Sequence, residues 1–147
     1  MPKGASPLQV YVVEDSEIIL RLLASAIESV GGEVIGYSGD AEQAIHELES
    51  LKPHLILIDL MLASGTGFDV LEARQAGSIG RNAIAVVFTN HLSAENRARS
   101  LELGASYMFD KSTEGRQALE LIYTMAAKRR NQQAGPELER PERNGEP

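Results

Sequence analysis

The sequence predicts an α/β domain, a doubly wound parallel sheet of five strands alternating with five helices. Three observations point there. The run Pro53-His54-Leu55-Ile56-Leu57-Ile58-Asp59 holds four consecutive aliphatic residues without polar alternation, the pattern of a strand covered on both faces. Two more apolar runs end in polar groups: Leu8-Gln9-Val10-Tyr11-Val12-Val13 leads into Glu14-Asp15, and Ala83-Ile84-Ala85-Val86-Val87-Phe88 into Thr89-Asn90. Helical periodicity separates these runs, as crossovers between parallel strands require.

Taken in order, the first strand is followed by Ile18, Ile19, Leu22, Leu23, Ala26, Ile27 and Val30 at helical spacing, and Gly31-Gly32 stops that helix. Residues 33–37 form a short strand candidate. Asp40 then caps a second helix, with Gln43 three residues on as a variant capping box. Ala41, Ala44, Ile45, Leu48 and Leu51 make its apolar stripe, and Pro53 opens the central strand. Beyond Asp59, residues 60–65 form a loop, and Thr66 caps a third helix through Ala76. The fourth strand ends at Thr89, and Ser93 caps a helix through Leu103 that Gly104 terminates. Tyr107-Met108-Phe109 is a short fifth strand running into Asp110-Lys111. A last helix carries Ala118, Leu119, Leu121, Ile122, Met125 and Ala126 and fades near Arg130. The expected division is an extension over 1–7, a folded domain over 8–130 and a disordered polar tail over 131–147.

Composition narrows the function. At 147 residues with 43% hydrophobic content the chain can bury a real core. A net charge of -7 argues against nucleic acid as a partner. No cysteine is present, which excludes disulfides and thiolate metal sites. No run approaches the ~20 apolar residues that span a bilayer, and residues 1–7 lack the apolar core of a signal peptide. The expected location is therefore the cytoplasm, with no membrane partner.

Parallel strands deliver their carboxyl ends to one edge of the sheet, where open α/β folds keep their sites. Glu14, Asp15 and Asp59 should meet there. Crowded carboxylates repel one another unless a cation offsets them. With oxygen ligands only, the expected ion is magnesium. Thr89 adds a hydroxyl and Lys111 a mobile point charge, both suited to a phosphoryl group, while one carboxylate serves as nucleophile. Each residue has a plainer reading: Asp15 or Ser16 as a helix cap, Asp59 as a solvated loop acid, Lys111 as a surface lysine. Their joint placement at the ends of strands one, three, four and five makes coincidence a poor explanation.

Residues 8 to about 127 resemble a response-regulator receiver domain, the phosphoacceptor module of two-component signalling. The matching pieces are Val12-Val13-Glu14-Asp15-Ser16, Leu57-Ile58-Asp59-Leu60-Met61-Leu62, Gly65-Thr66-Gly67-Phe68-Asp69, Phe88-Thr89-Asn90, and Gly104-Ala105 leading to Asp110-Lys111-Ser112. The resemblance implies a flavodoxin-like sheet of strand order 2-1-3-4-5. It implies that Asp59 accepts a phosphoryl group from a sensor histidine kinase or histidine phosphotransfer protein. Asp15, Asp59 and the backbone carbonyl of Met61 would hold magnesium (manganese being an alternative), with Glu14 reaching it through water. Thr89 and Lys111 would contact the phosphoryl group. A stand-alone regulator is implied, not an enzyme in its own right beyond magnesium-dependent self-phosphorylation and self-dephosphorylation, that signals to a downstream protein or pairs with itself through the fourth and fifth helices.

Four positions depart from the family pattern. Ser112 stands where proline usually follows the lysine, often through a cis bond that costs ~2.5–4 kcal/mol before other residues. Asn90 replaces a small residue, Ala63 replaces proline, and the position of the switch aromatic falls on Met108, with Tyr107 one residue early. Successive strand residues face opposite sides, so Tyr107 is no simple substitute for Met108. Two other functions compete with this one. An aspartyl-nucleophile phosphatase would need a second acid where Met61 stands, and a degenerate receiver would bind partners without phosphorylation. Gly65-Thr66-Gly67 lacks the third glycine of a dinucleotide fingerprint, and His46, His54 and His91 have no metal-ligand spacing.

Overall fold

The computed structural model describes the backbone of residues 6–145 and the side chains of residues 6–132. Five strands, β1 (Leu8–Val13), β2 (Gly32–Ser38), β3 (Leu55–Ile58), β4 (Ile84–Thr89) and β5 (Tyr107–Asp110), alternate with five helices. The helices are α1 (Glu17–Ser29), α2 (Ala41–Leu48), α3 (Gly67–Gln75), α4 (Ala94–Glu102) and α5 (Gly115–Gly145). All strand pairs are parallel and the order is β2-β1-β3-β4-β5, the flavodoxin-like order expected.

The central strand is apolar throughout because both of its faces are covered. Ile56 and Ile58 join a core layer with Ala44 and Leu48 of α2 and Val70 and Leu71 of α3. Leu55 and Leu57 join the opposite layer, with Ile27 of α1 and Ala118, Ile122 and Ala126 of α5. Tyr11 is wholly buried, and its hydroxyl donates to Glu47 Oε1 at 2.6 Å. Burial foremost, then this hydrogen bond and the carboxylate charge, push the phenol pKa far up.

Caps are local and legible. Ser16, Asp40 and Ser93 accept from the backbone N–H groups of Ile19, Gln43 and Asn96. At α2 the expected capping box is only half made. Gln43 turns outward to Glu47 Oε2 at 3.0 Å, and the Asp40 N–H is taken by Ser38 Oγ. At α3 the Asp69 carboxylate accepts the Thr66 N–H at 3.0 Å.

The first helix also departs from expectation. Its apolar stripe is wider than the core needs, so Ile27 is buried while Ile18 and Leu22 are exposed. At the other end of the chain, α5 does not stop near Arg130 but continues to Gly145. Gly135, Pro136 and Pro141 lie within that range, so intrinsic helix propensity does not account for its length. The side chains of the expected tail from residue 133 onward, and most of the 1–7 extension, lie outside the described residues. Among the described residues no helix is long and apolar enough to cross a membrane.

Candidate functional site

Register brings the site together. Val13 pairs with Ile58 and Ile58 with Val87, so Glu14, Asp59 and the end of β4 leave the sheet side by side. Asp59 N–H donates to Val13 O at 2.9 Å and Lys111 N–H to Thr89 O at 3.0 Å, extending the ladders one step past the strands. Ser16, not Asp15, caps α1, which leaves the Asp15 carboxylate free of that task and exposed to solvent.

Asp59 is buried and each of its oxygens has its own donor. The Thr89 hydroxyl donates to Oδ1 at 2.7 Å, and Lys111 Nζ donates to Oδ2 at 2.8 Å. The Met61 N–H also reaches Oδ1, at 3.3 Å. Lys111 bridges on to Glu14 Oε1 at 2.7 Å, and the other Glu14 oxygen accepts the Ser16 N–H at 3.0 Å. Burial alone would lower the lysine pKa, but hydrogen bonds and charges from Asp59 and Glu14 outweigh it and raise the value. The lysine is therefore a fixed cation between two carboxylates, and its side chain is only 11% exposed.

Two glycines permit this closeness: Gly67, which the sequence offers only as part of a motif, and Gly39, which it does not single out. A Cβ on Gly67 would overlap the Asp59 carbonyl oxygen, and one on Gly39 would lie 2.6 Å from the Asp15 Cα. A glycine inside a helix cap, where an ordinary residue would serve, was the available signal at Gly67.

Glu14, Asp15 and Asp59 each have a carboxylate oxygen within 4.8 Å of the others. Opposite ligands of a magnesium ion, at bonds of ~2.1 Å, lie roughly 4.2 Å apart, so the hard oxygen donors fit such an ion with small adjustment. Asp15 is the acid most open to an ion, whereas the oxygens of Glu14 and Asp59 already accept hydrogen bonds.

The four departures find their places. Among the described residues no peptide bond is cis. Ser112, in place of proline, donates from both N and Oγ to Asp110 Oδ1, at 2.8 and 2.6 Å. The hydroxyl bond first, and the backbone bond with it, hold the Asp110 carboxyl below its usual range. Asn90, Lys111 and Ser112 line an apolar groove of about 320 Å³ together with Ile19, Leu22, Leu23 and Leu119. Ala63 is in the β3–α3 loop, beside the Asp40–Ser64 bridge that ties this loop to the start of α2. Met108 is half-buried against the α2/α3 layer, whereas Tyr107 is partly exposed and meets Phe109 edge to face at 6.4 Å. The two thus lie on opposite faces of β5.

Of the histidines, His91 is exposed and its N–H donates to Thr89 Oγ1 at 3.2 Å, while His46 pairs with Glu49 on the surface of α2. His54 does something unforeseen. Its backbone N–H donates to Gln9 O at 2.9 Å and its ring Nδ1 accepts the Gln9 N–H at 2.8 Å, so the imidazole completes a rung between β1 and β3.

A five-stranded doubly wound sheet with three acids, a buried threonine and a paired lysine at its carboxyl edge defines the receiver class. The chain belongs to that family: the response regulator receiver domain model matches residues 10–123. Among curated proteins it is 33% identical over 109 residues to a protein-glutamate methylesterase/protein-glutamine glutaminase of Geobacter sulfurreducens, covering 74% of this chain and 29% of that one. It is 31% identical over 97 residues to the phosphate regulon transcriptional regulatory protein PhoB of Escherichia coli, covering 66% of this chain and 42% of that one. The chain thus spans less than half the length of these relatives.

Among solved structures, a CheY-like response regulator receiver domain protein of Methanospirillum hungatei superposes with a TM-score of 0.73 at 25% identity, covering 86% of this chain and 99% of that one. The receiver domain of a Pseudomonas aeruginosa sensor histidine kinase, described with magnesium coordinated in its active-site cleft, shares the fold. Its TM-score is 0.70 at 21% identity, covering 82% of this chain and 98% of that one.

Proposed function

We propose that Asp59 is the phosphoacceptor of a two-component signalling protein. The observation that carries this reading is the division of labour at its carboxylate, where Thr89 holds one oxygen and Lys111 the other. An Asp59 oxygen attacks the phosphorus of a phosphohistidine donor, a P–O bond forms as the P–N bond breaks, and the departing imidazole recovers a proton. Lys111 is released from Asp59 to the incoming phosphoryl oxygens, and the Thr89 hydroxyl turns to them as donor. Asp15 and Asp59, the Met61 carbonyl, and Glu14 through water would hold magnesium or manganese, which supplies charge neutralisation when bound. The chain is read as a signalling protein and not as an enzyme acting on a small substrate. The exposed Ile18 and Leu22, the latter lining the same groove as Lys111, suit a histidine kinase or phosphotransfer protein. The exposed Leu101, Tyr107 and Tyr123 suit a downstream protein or a second copy.

The test is incubation with magnesium and acetyl phosphate, followed by intact-mass measurement. Wild type should gain the mass of one phosphoryl group and Asp59→Asn should not. Equal labelling of both proteins, or of neither, would overturn the assignment.

A further inference from the structure

Apolar packing secures α4 poorly. Of its residues only Ser100 is buried, Leu101 is 62% exposed, and the Ser100 hydroxyl has no partner among the described residues. The leucines flanking the helix, Leu92 and Leu103, are only partly buried against the core. What joins α4 to its neighbour is polar. The Arg99 guanidinium lies over the Phe68 ring, Cζ 4.2 Å from the centroid, with Nη2 3.6 Å from Glu72 Oε2. Further along, Gln75 Nε2 donates to Glu102 O at 2.8 Å.

All three partners stand on α3, and α3 is referenced to the phosphoacceptor. The Gly67 N–H donates to Leu60 O at 2.9 Å, and no side chain fits between Gly67 and the Asp59 carbonyl. Phe68 follows directly. The chain of contact therefore runs from the Asp59 backbone through Gly67 and Phe68 to Arg99.

We propose that Arg99 and Phe68, supported by Glu72 and by the Gln75–Glu102 bond, form a tether that holds α4 in its resting position. The tether opposes displacement of α4 and links that helix to Asp59 through α3, a route independent of the strand residue Met108. Arginine suits the role because one planar guanidinium stacks on a ring and pairs with a carboxylate, which an ammonium group does not do together. The signalling consequence rests on Asp59 being the phosphoacceptor, but the tether itself does not.

Amide hydrogen exchange without any phosphodonor tests the tether. Arg99→Ala should raise exchange across α4 two- to five-fold, the equivalent of about 0.5–1 kcal/mol, and leave β1 and β3 unchanged. Phe68→Leu should do the same to α4, the double variant should add little to either, and Arg99→Lys should recover only part of the protection. Additive single effects, or a rise spread evenly over the whole domain, would overturn the proposal. In a second arm, NMR with a beryllofluoride phosphoryl mimic should show α4 resonances of Arg99→Ala shifted further toward the mimic-bound position than in wild type at equal occupancy. Identical positions would sink the claim that the tether opposes displacement. Failure of the mimic to bind would count against Asp59 instead, and the exchange comparison would still decide the tether.

Discussion

His54 shows how a residue outside the site sets a condition for the fold. To accept the Gln9 N–H, its Nδ1 must be unprotonated. Burial, and behind it the positive Arg129, lower its pKa from the ordinary 6.5. The unfolded chain therefore binds more protons than the folded one in the interval below 6.5, and stability falls as pH falls through it. Arg129 is itself anchored to Ser6 O at 3.1 Å and Ser6 Oγ at 2.7 Å, which keeps the opposing charge in place. Asparagine at this position offers an oxygen in place of Nδ1 and does not titrate. His54→Asn should therefore lose less thermal stability than wild type between pH 7.5 and 5.5, and parallel losses would refute the role given to the imidazole. The acid cluster was readable residue by residue, because each acid closes an apolar run. The rung made by His54 was not, since it depends on how two strand starts align in space.

At the scale of elements, the resemblance to receivers implies a switch at β5, with a methionine where the family pattern has an aromatic. Met108 packs against the α2/α3 layer at the place of the usual aromatic, while Tyr107 lies on the other face. An unbranched side chain fills irregular gaps but defines one rotamer poorly. The phosphoryl group shifts an equilibrium only by its differential affinity for the two states. We therefore expect beryllofluoride to leave a measurable resting population over α4 and β5, read by NMR as two sets of peaks or as averaged intermediate shifts. A single fully shifted set, unaltered by Met108→Ala, would refute this. Strand and helix boundaries were largely legible from periodicity, as at β3, where four aliphatics in a row are buried. The outward turn of Ile18 and Leu22 was not, because an apolar stripe does not state how much of itself the core will cover.

For the whole molecule, stability and ligand binding are linked. Three acids share one edge with a single lysine, so a cation that binds only the folded arrangement should stabilise it, by about 2.7 kcal/mol at a hundredfold excess over Kd. Magnesium should accordingly raise the thermal midpoint of wild type. The gain should fall more in Asp15→Asn than in Glu14→Gln, since Lys111 and the Ser16 N–H already occupy both Glu14 oxygens. An undiminished gain in Asp15→Asn would remove that residue from the ion's ligands. The sheet order has one more consequence. The carboxylates leave β1 and β3, each flanked by strands on both sides, whereas Lys111 follows β5, which has only β4 as a neighbour. The two signs of charge therefore reside in regions of unequal local durability. On gradual warming, the margin of the sheet is expected to fray before its middle. The domain would then pass through a form that still presents its anions but has let go of its cation, so heat would strip the site of its balance before it strips the molecule of its shape.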